Sequence, residues 1–267
     1  MAVGIGGRGP EDFRPHFHYA MGRQNIIQHR LHFEMAARDS MDTMGPEQTD
    51  NPVLTCALAG DLPGLQKIFD NPEDPAQEKV KLLLSEQDVV GRSPLFLACM
   101  LGRSEVVREL AKHGVDLNQP TPRGYLPIHC AAAWAQLDTL KTLVEQGSDI
   151  VGMNFRGEKA RDVALRYGKM DCVEFLDLEE VKLTLRLYIT QIQATIADPE
   201  KVHGRLNKED KNTVLNACKA KFDWMQNVKD PTIQDVLDQK QQLETTMLPI
   251  FNKLNAPRPE TGKKSKH

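Results

Sequence analysis

The sequence predicts an all-α protein in which a solenoid of stacked helical repeats is followed by a C-terminal helical bundle. The first observation is a period of 33 residues, which separates Gly91, Gly124 and Gly157 and recurs at several other positions. A fixed period of this length is typical of repeat arrays, in which each unit buries its apolar face against the next. The second observation is apolar residues at helical spacing over residues 181–247, which indicates amphipathic helices.

Two of the repeats carry a complete motif. Their openings read GRSPLFLAC over residues 91–99 and GYLPIHCAA over residues 124–132, and their ends read LAKHGVDLN from Leu110 and LVEQGSDI from Leu143. These motifs resemble the ankyrin repeat, a 33-residue helix pair. The resemblance implies a protein-interaction module that has no chemistry of its own.

Local signals place the helices inside each repeat. Ser93 is a candidate N-cap, and Pro94 suits the first turn because its missing N–H would have no helical partner there. Gly114 and Gly147 follow the second helix, where a chain that ends a helix often needs a positive φ. Each repeat is therefore predicted to contain a short first helix and a second helix that ends at the glycine.

Two imperfect repeats flank these two. The unit from Gly157 onward has Ala160 where the proline should be, and a degenerate unit begins at Pro52. The proline of the next repeat follows Pro52 by 42 residues, so the excess of nine predicts a polar insertion at residues 71–75. We predict about four repeats over residues 51–177, with the first and last serving as end caps.

The last third of the chain predicts three helices with short connections. The first has an apolar stripe of Val181, Leu185, Tyr188, Ile189, Ile192 and Ile196. The second is predicted from Asn207 to Val228, with one face formed by Val214, Leu215, Cys218, Phe222 and Met225. The third is predicted to begin near Thr232 and to carry Ile233, Val236, Leu237, Lys240, Leu243 and Met247. Pro249 is predicted to end or kink it. Helices of this kind form a bundle, predicted here over residues 178–255.

The bundle carries a second resemblance. Residues 206–211 read LNKEDK, residues 214–218 read VLNAC, and residues 248–254 read LPIFNKL. These runs are similar to the C-terminal lid of the seventy-kilodalton heat-shock chaperones, over about residues 183–254. Only the bundle is carried over, because 267 residues leave no room for the ATPase and peptide-binding domains of those chaperones. The combination of ankyrin repeats with such a bundle resembles one family of ankyrin-repeat proteins. This resemblance implies a cytoplasmic protein without enzymatic activity that associates with the cytoskeleton or the cilium.

Composition narrows the remaining possibilities. The formal net charge of −3 argues against nucleic acid or an anionic membrane as the main partner. No apolar run approaches the roughly 18 residues of a membrane-spanning helix. The five cysteines form no C-x-x-C pair and are predicted to be buried free thiols in a reducing compartment. No catalytic, cofactor or metal motif is complete, so we expect no enzyme, no cofactor and no small-molecule substrate. His129 is expected to be structural, because in ankyrin repeats this histidine bonds the backbone between repeats.

The chain ends are predicted to be unstructured. Residues 1–50 form a flexible segment with one candidate helix from Asn25 to Ala37, and residues 256–267 form a disordered basic tail. The run GIGGRG near the N-terminus matches a nucleotide-binding pattern by letter, but no strand precedes it, so we predict no nucleotide site.

The partner-binding site is predicted on the concave face of the array. In ankyrin repeats the two residues before the mid-repeat glycine lie on this face, and here they include Met100, Leu101, Trp134, Arg166 and Tyr167. The finger loops add Arg92, Arg123 and Arg156, again spaced by 33, as a row of positive charge for an acidic partner. Aromatic residues and arginine dominate binding energy at protein interfaces. The alternative is that these side chains pack against the chain's own bundle or N-terminal segment.

The predicted function is a protein-interaction scaffold or adaptor with other proteins, cytoskeletal or axonemal ones among them, as partners. The alternative is a co-chaperone-like protein that binds clients or chaperones through the bundle. Suppression of client aggregation would favour the alternative, whereas recovery in one stoichiometric assembly would favour the scaffold.

Overall fold

The computed structural model describes residues 51–70, 77–88 and 91–256, and within these ranges it contains helices and no strand. In chain order the helices are α1 (Pro52–Ala59), α2 (Leu62–Asp70), α3 (Gln77–Ser85), α4 (Pro94–Met100), α5 (Ser104–Lys112), α6 (Pro127–Ala133), α7 (Leu137–Glu145), α8 (Ala160–Arg166), α9 (Met170–Ala197), α10 (Pro199–Val202), α11 (Lys208–Asn227) and α12 (Ile233–Asn255). The all-α prediction is confirmed. The predicted N-terminal segment with its candidate helix lies outside the described residues, as does the basic tail beyond residue 256.

The array is a stack of helix pairs. The first helices α1, α4, α6 and α8 pack in series, and the second helices α2, α5 and α7 follow in a parallel series. The leucines at the centre of the stack are fully buried, among them Leu110, Leu140 and Leu143. Because one apolar core runs through every repeat, each unit is stabilised mainly by its neighbours.

The predicted helix signals of the repeats are confirmed. The backbone N–H of Phe96 donates to Ser93 Oγ at 3.3 Å, which makes Ser93 the N-cap of α4. Gly114 and Gly147 follow α5 and α7 with φ angles of 77° and 89°. In this left-handed region glycine has no Cβ to clash, which explains the residue type at both positions.

The segment between α2 and the second repeat contains a helix, α3, that sequence reasoning missed. Helix α3 packs against α1 and α4. Asn51 ties it to the first repeat, since its Nδ2 donates to the Leu83 carbonyl at 2.9 Å and to Glu86 Oε2 at 2.8 Å. Asn51 Oδ1 also accepts from the Leu54 N–H, so the same residue caps α1. These hydrogen bonds hold α3 against α1 at the start of the array.

A single helix belongs to both parts of the chain. Helix α9 is 28 residues long, and the boundary predicted at residues 177–178 falls inside it. Its first turns place Cys172, Val173 and Leu176 in the core of the array. Its later turns contribute Leu185, Ile189, Ile192 and Ile196 to the core of the bundle. Helix α9 is therefore the second helix of the fourth repeat and also the first helix of the bundle.

Ion pairs fasten the first part of this helix to α8. Arg161 Nε lies 2.7 Å from Asp177 Oδ1, and Lys159 Nζ lies 2.5 Å from Glu180 Oε1. All four side chains are partly exposed, so each pair contributes at most about 1 kcal/mol. The pairs also cover the end of the array with polar groups, as an end cap requires.

The bundle consists of α9, α11 and α12, which pack against one another. Helix α11 begins with a capping box, in which the Asp210 N–H donates to Asn207 Oδ1 at 2.7 Å and the Asn207 N–H donates to Asp210 Oδ2 at 3.2 Å. Thr232 and Asp235 form the same arrangement at the start of α12. Both predicted helix starts are confirmed.

Two details of the predicted bundle are wrong. Leu215 and Phe222 were assigned to the inner face of α11, but they are 46% and 45% exposed. The buried stripe of α11 is narrower than predicted and centres on Val214 and Cys218. Leu215 and Phe222 lie beside this stripe on the helix surface. Ile233 and Leu237 of α12 are likewise exposed.

Pro249 does not end α12, which continues beyond it to Asn255. A proline lacks the N–H that would bond the carbonyl four residues earlier, here that of Thr245. Both residues lie on the exposed side of the helix. Water can therefore solvate the freed carbonyl, and the remaining turn is stabilised by the buried Ile250 and Leu254.

All five cysteines are buried and free, as predicted. Burial raises the pKa of Cys99 and of Cys218, which keeps both thiols protonated and unreactive. Among the described residues no group of three or more histidine, cysteine, aspartate or glutamate side chains is placed to hold a metal ion. None of the described helices combines the length and the apolar character needed to cross a membrane.

Candidate protein-binding surface

Three of the predicted site residues occupy equivalent positions in successive repeats. Leu101, Trp134 and Tyr167 are the C-cap residues of α4, α6 and α8. Their backbone angles are nearly identical, with φ of −92° in each case and ψ of 2°, 7° and 5°. All three side chains are half-buried. The repeat therefore lines up one large side chain per unit, and we call this set the concave column.

The side chain that precedes each member of the column differs in burial from one repeat to the next. Met100 is only 5% exposed, which corrects its assignment to an accessible site. It is the last residue of α4, a helix in which all seven residues are buried. The equivalent Arg166 is half-buried and remains at the surface.

Arg166 is held in place by two contacts. Its Nε and Nη2 lie 3.0 and 3.1 Å from the two carboxylate oxygens of Glu158, a bidentate pair. Its guanidinium carbon lies 4.6 Å from the centroid of the Tyr167 ring. Burial opposes ionisation of Glu158, but hydrogen bonding from Asn154 and the charge of Arg166 outweigh it and lower the pKa of Glu158. Arg166 therefore braces the end of the concave column.

The predicted row of three arginines is reduced to two. Arg92 Nε lies 2.6 Å from Asp88 Oδ2, and the Arg92 side chain is only 11% exposed. Its charge is neutralised inside its own finger loop, so the assignment of Arg92 to the row is wrong. Arg123 and Arg156 are exposed, and neither forms an ion pair with any described residue.

The fingers of the third and fourth repeats also bring two aromatic rings together. The Phe155 ring is 60% exposed, and its centroid lies 5.9 Å from that of Tyr125 in an edge-on arrangement. The guanidinium of Arg156 lies 5.5 Å above the Phe155 ring. The Phe155 N–H donates to the Arg123 carbonyl at 3.2 Å, which joins the two fingers. We call Arg123, Tyr125, Phe155 and Arg156 the fingertip cluster.

A buried asparagine shapes this finger. Asn154 Oδ1 accepts from the N–H groups of Arg156 at 2.8 Å and Glu158 at 3.1 Å. This turn leaves the neighbouring Met153 and Phe155 exposed at 60% each. The 33-residue period places Phe155 in this finger loop, but it does not predict the exposure of the ring.

His129 is a structural residue, as expected. It is fully buried, and its Nδ1 accepts from the Leu126 N–H at 3.0 Å. Its Nε2 lies 3.0 Å from the Glu158 carbonyl. A carbonyl can only accept, so the ring proton is on Nε2 and the imidazole is neutral. His129 thus links the third repeat to the finger of the fourth.

The protein should lose stability as the pH falls below the ordinary pKa of histidine. Burial lowers the pKa of His129, so below about pH 6.5 the unfolded chain binds a proton that the folded chain does not. The stability that depends on the neutral ring is complete at higher pH and is lost as the pH falls through this range. We expect the urea midpoint to decrease between about pH 7.5 and about pH 5.5.

Two variants test this expectation. His129→Asn should be less stable than the wild type, but its urea midpoint should change less with pH. His203→Gln is the control. His203 is exposed on a turn, so its loss should leave the pH dependence intact. Equal pH dependence in the wild type and His129→Asn would contradict the assignment.

Comparison with known proteins agrees with this architecture. A family model described as ankyrin repeats, in three copies, matches residues 55–154. Over 214 residues the chain is 51% identical to the human ankyrin repeat domain-containing protein 45, covering 79% of this chain and 80% of the relative. It is 50% identical to the Danio rerio protein of the same name over 220 residues, covering 81% of this chain and 97% of the relative. The Mus musculus protein of that name is 52% identical over 209 residues, covering 78% and 84%.

The family model ends before the fourth repeat, but α8 packs on α6 as α6 packs on α4, so the stack extends beyond the matched range. Ankyrin repeats indicate protein–protein interaction. Each of these matches extends over most of both chains. The chain therefore belongs to the family of ankyrin repeat domain-containing protein 45.

Proposed function

We propose that the chain is a non-enzymatic scaffold or adaptor that holds proteins together in a cytoplasmic assembly of the cytoskeleton or the cilium. The concave column would contact one partner, and the bundle would contact a second partner or brace the array. The single observation that carries the proposal is the alignment of Leu101, Trp134 and Tyr167 at equivalent, half-buried positions. The resemblance of ankyrin repeats joined to a lid-like bundle supports the cytoskeletal or ciliary setting.

Preformed surfaces favour this mode of binding. The column residues are held by helix ends and, in the fourth repeat, by the pairing of Arg166 with Glu158. A partner that docks on side chains already fixed in place loses less conformational entropy than one that must order a loop. The bundle helices α11 and α12 pack on α9, and α9 packs on α7 and α8. This arrangement supports a concave face that is available to another protein.

Replacement of Trp134 by alanine should weaken binding of a partner that docks on the concave column by about 2 kcal/mol or more. The large indole is the centre of the column, and its loss removes apolar contact area that smaller neighbours cannot replace. Proximity labelling in cells followed by cross-linking would identify the partner and the contacting residues. Calorimetry with the purified partner would then give the affinities of the wild type and the variant.

The control is Lys141→Ala, which removes an exposed side chain from α7 in the same repeat. It should leave the affinity unchanged, while urea unfolding checks that both variants are folded. Equal affinity of Trp134→Ala and the wild type for a partner cross-linked to the array would refute the role of the column.

Exposed apolar side chains on the bundle favour a second candidate function, that of a co-chaperone-like binder of clients or chaperones. The exposed residues on α11 and α12 are Leu215, Phe222, Ile233, Leu237 and Leu248. Surfaces of this kind bind unfolded chains with little sequence preference. Purified protein that suppresses aggregation of a heated client, and loses this effect in Leu237→Ser, would favour this function. Recovery of the chain in one stoichiometric assembly without such suppression would favour the scaffold.

A further inference from the structure

The fingertip cluster is a compact surface of positive charge and exposed aromatic area. Arg123 and Arg156 lie on adjacent fingers, joined by the hydrogen bond from the Phe155 N–H to the Arg123 carbonyl. The nearby carboxylate of Glu158 is already engaged by Arg166 in a bidentate pair. Asp88, in the preceding finger loop, is engaged by Arg92. Among the described residues, the two cations of the cluster therefore lack a carboxylate partner while their neighbours have one.

The aromatic part of the cluster also leaves apolar side chains exposed to solvent. The Tyr125 and Phe155 rings meet in an edge-on arrangement, and Arg156 lies over the Phe155 ring, yet 60% of Phe155 remains exposed. Met153, two residues earlier, is exposed to the same degree. A guanidinium that lies over a ring keeps its N–H groups free to bind a carboxylate in the plane of the guanidinium. The cluster thus offers an anion site next to an apolar one.

We propose that the fingertip cluster binds an acidic peptide segment of a partner protein. The segment places a carboxylate against Arg123 or Arg156 and an apolar side chain against Phe155. This inference rests on the proposed scaffold function, and it specifies the chemical class of partner for a surface distinct from the concave column. Charge complementarity supplies the specificity, because the positive charges of Arg123 and Arg156 repel basic segments.

The charges of the molecule favour a peptide over the other possible occupants. Nucleic acid binding gains its affinity from many phosphate contacts, whereas this cluster has two arginines and the whole chain carries a formal net charge of −3. A second copy of the chain docked through the same surface would bring four arginines together, which is unfavourable. An acidic peptide segment needs only a few charge contacts and is attracted by the two arginines, so neither objection applies to it.

The test is selection of random dodecapeptides displayed on phage against the immobilised full-length chain. We expect the selected peptides to combine aspartate or glutamate with aromatic or aliphatic residues. Synthetic copies should bind the R123Q/R156Q variant at least about tenfold more weakly than the wild type by fluorescence anisotropy. Phe155→Ala should give a similar loss, because it removes the apolar half of the site. The matched control R186Q/K229Q removes two exposed positive charges from the bundle and should leave the affinity unchanged.

Three results would overturn the proposal. One is a selection without enrichment of acidic residues, and another is equal affinity of the selected peptides for the wild type and R123Q/R156Q. The third is displacement of the peptides by a single-stranded oligothymidine, which would indicate a nucleic acid site. Trp134→Ala separates the two functions, because it should not affect peptides bound at the fingertips. Peptide binding that requires Arg123 and Arg156 would sustain this inference even if the concave column bound no partner.

Discussion

Thr184→Pro is expected to destabilise the protein by about 3 kcal/mol or more and to separate unfolding of the array from unfolding of the bundle. Thr184 lies in the middle of α9, after Leu176, which is buried in the array core, and just before Leu185, which is buried in the bundle core. Proline removes the N–H that bonds the Glu180 carbonyl, and its ring clashes with that carbonyl. Thr184 itself is exposed, so the loss would come from the helix and not from a cavity.

The two tryptophans of the chain make this measurement direct. Trp134 lies in the array and Trp224 in the bundle, so W224F and W134F backgrounds report each part separately by fluorescence. In the wild-type helix we expect the two urea transitions to coincide, and in Thr184→Pro we expect them to differ. The control Thr184→Ala removes only the hydroxyl that donates to the Glu180 carbonyl and should keep a single transition. Coincident, unshifted transitions in the proline variant would show that α9 does not couple the two cores.

Leu143→Ala is expected to cost about 2–5 kcal/mol, the range for a large-to-small change in a packed core. Leu143 is fully buried in α7, within the continuous core of the array. The alanine would leave a cavity that neighbouring repeats cannot fill, because each repeat is held between two others. In the intact chain both tryptophan reporters should shift to lower urea, since α9 joins the array to the bundle.

Two further variants complete this test. Lys141→Ala lies on the exposed side of the same helix and should change the midpoint little. Leu243→Ala removes a fully buried side chain from the bundle core and should have an effect of similar size, again seen by both reporters. A midpoint for Leu143→Ala equal to that of Lys141→Ala would contradict the assignment of Leu143 to the core.

The repeat array could be predicted from the sequence because its signals are local and recur. The 33-residue period places the glycines, and the capping residue Ser93 with Pro94 sets the start of α4. The continuity of α9 could not be predicted in the same way. Its buried side chains change from one side of the helix to the opposite side between Leu176 and Leu185, since nine residues make two and a half turns. A search for one amphipathic stripe therefore divides this helix in two.

The candidate binding surface was predictable only in part. The positions of Leu101, Trp134 and Tyr167 follow from the glycine spacing, and their equivalent backbone angles agree with that reasoning. The exclusion of Arg92 depends on its pairing with Asp88, which the spacing of arginines does not reveal. The exposure of Phe155 depends on the turn built by Asn154 and on the absence of another described finger stacked beyond it. These contacts depend on the side chains of individual loops, which a repeat period does not specify.

The double role of α9 also constrains how this architecture can vary. A residue inserted between Leu176 and Leu185 would rotate every later turn by about 100° and advance it by about 1.5 Å relative to the repeats. The side chains that meet α11 and α12 would then aim elsewhere, although no buried residue had been substituted. The number of residues between Leu176 and Leu185 is therefore constrained. Only insertions or deletions close to a whole number of helical turns would keep the bundle-facing side chains of α9 directed at α11 and α12.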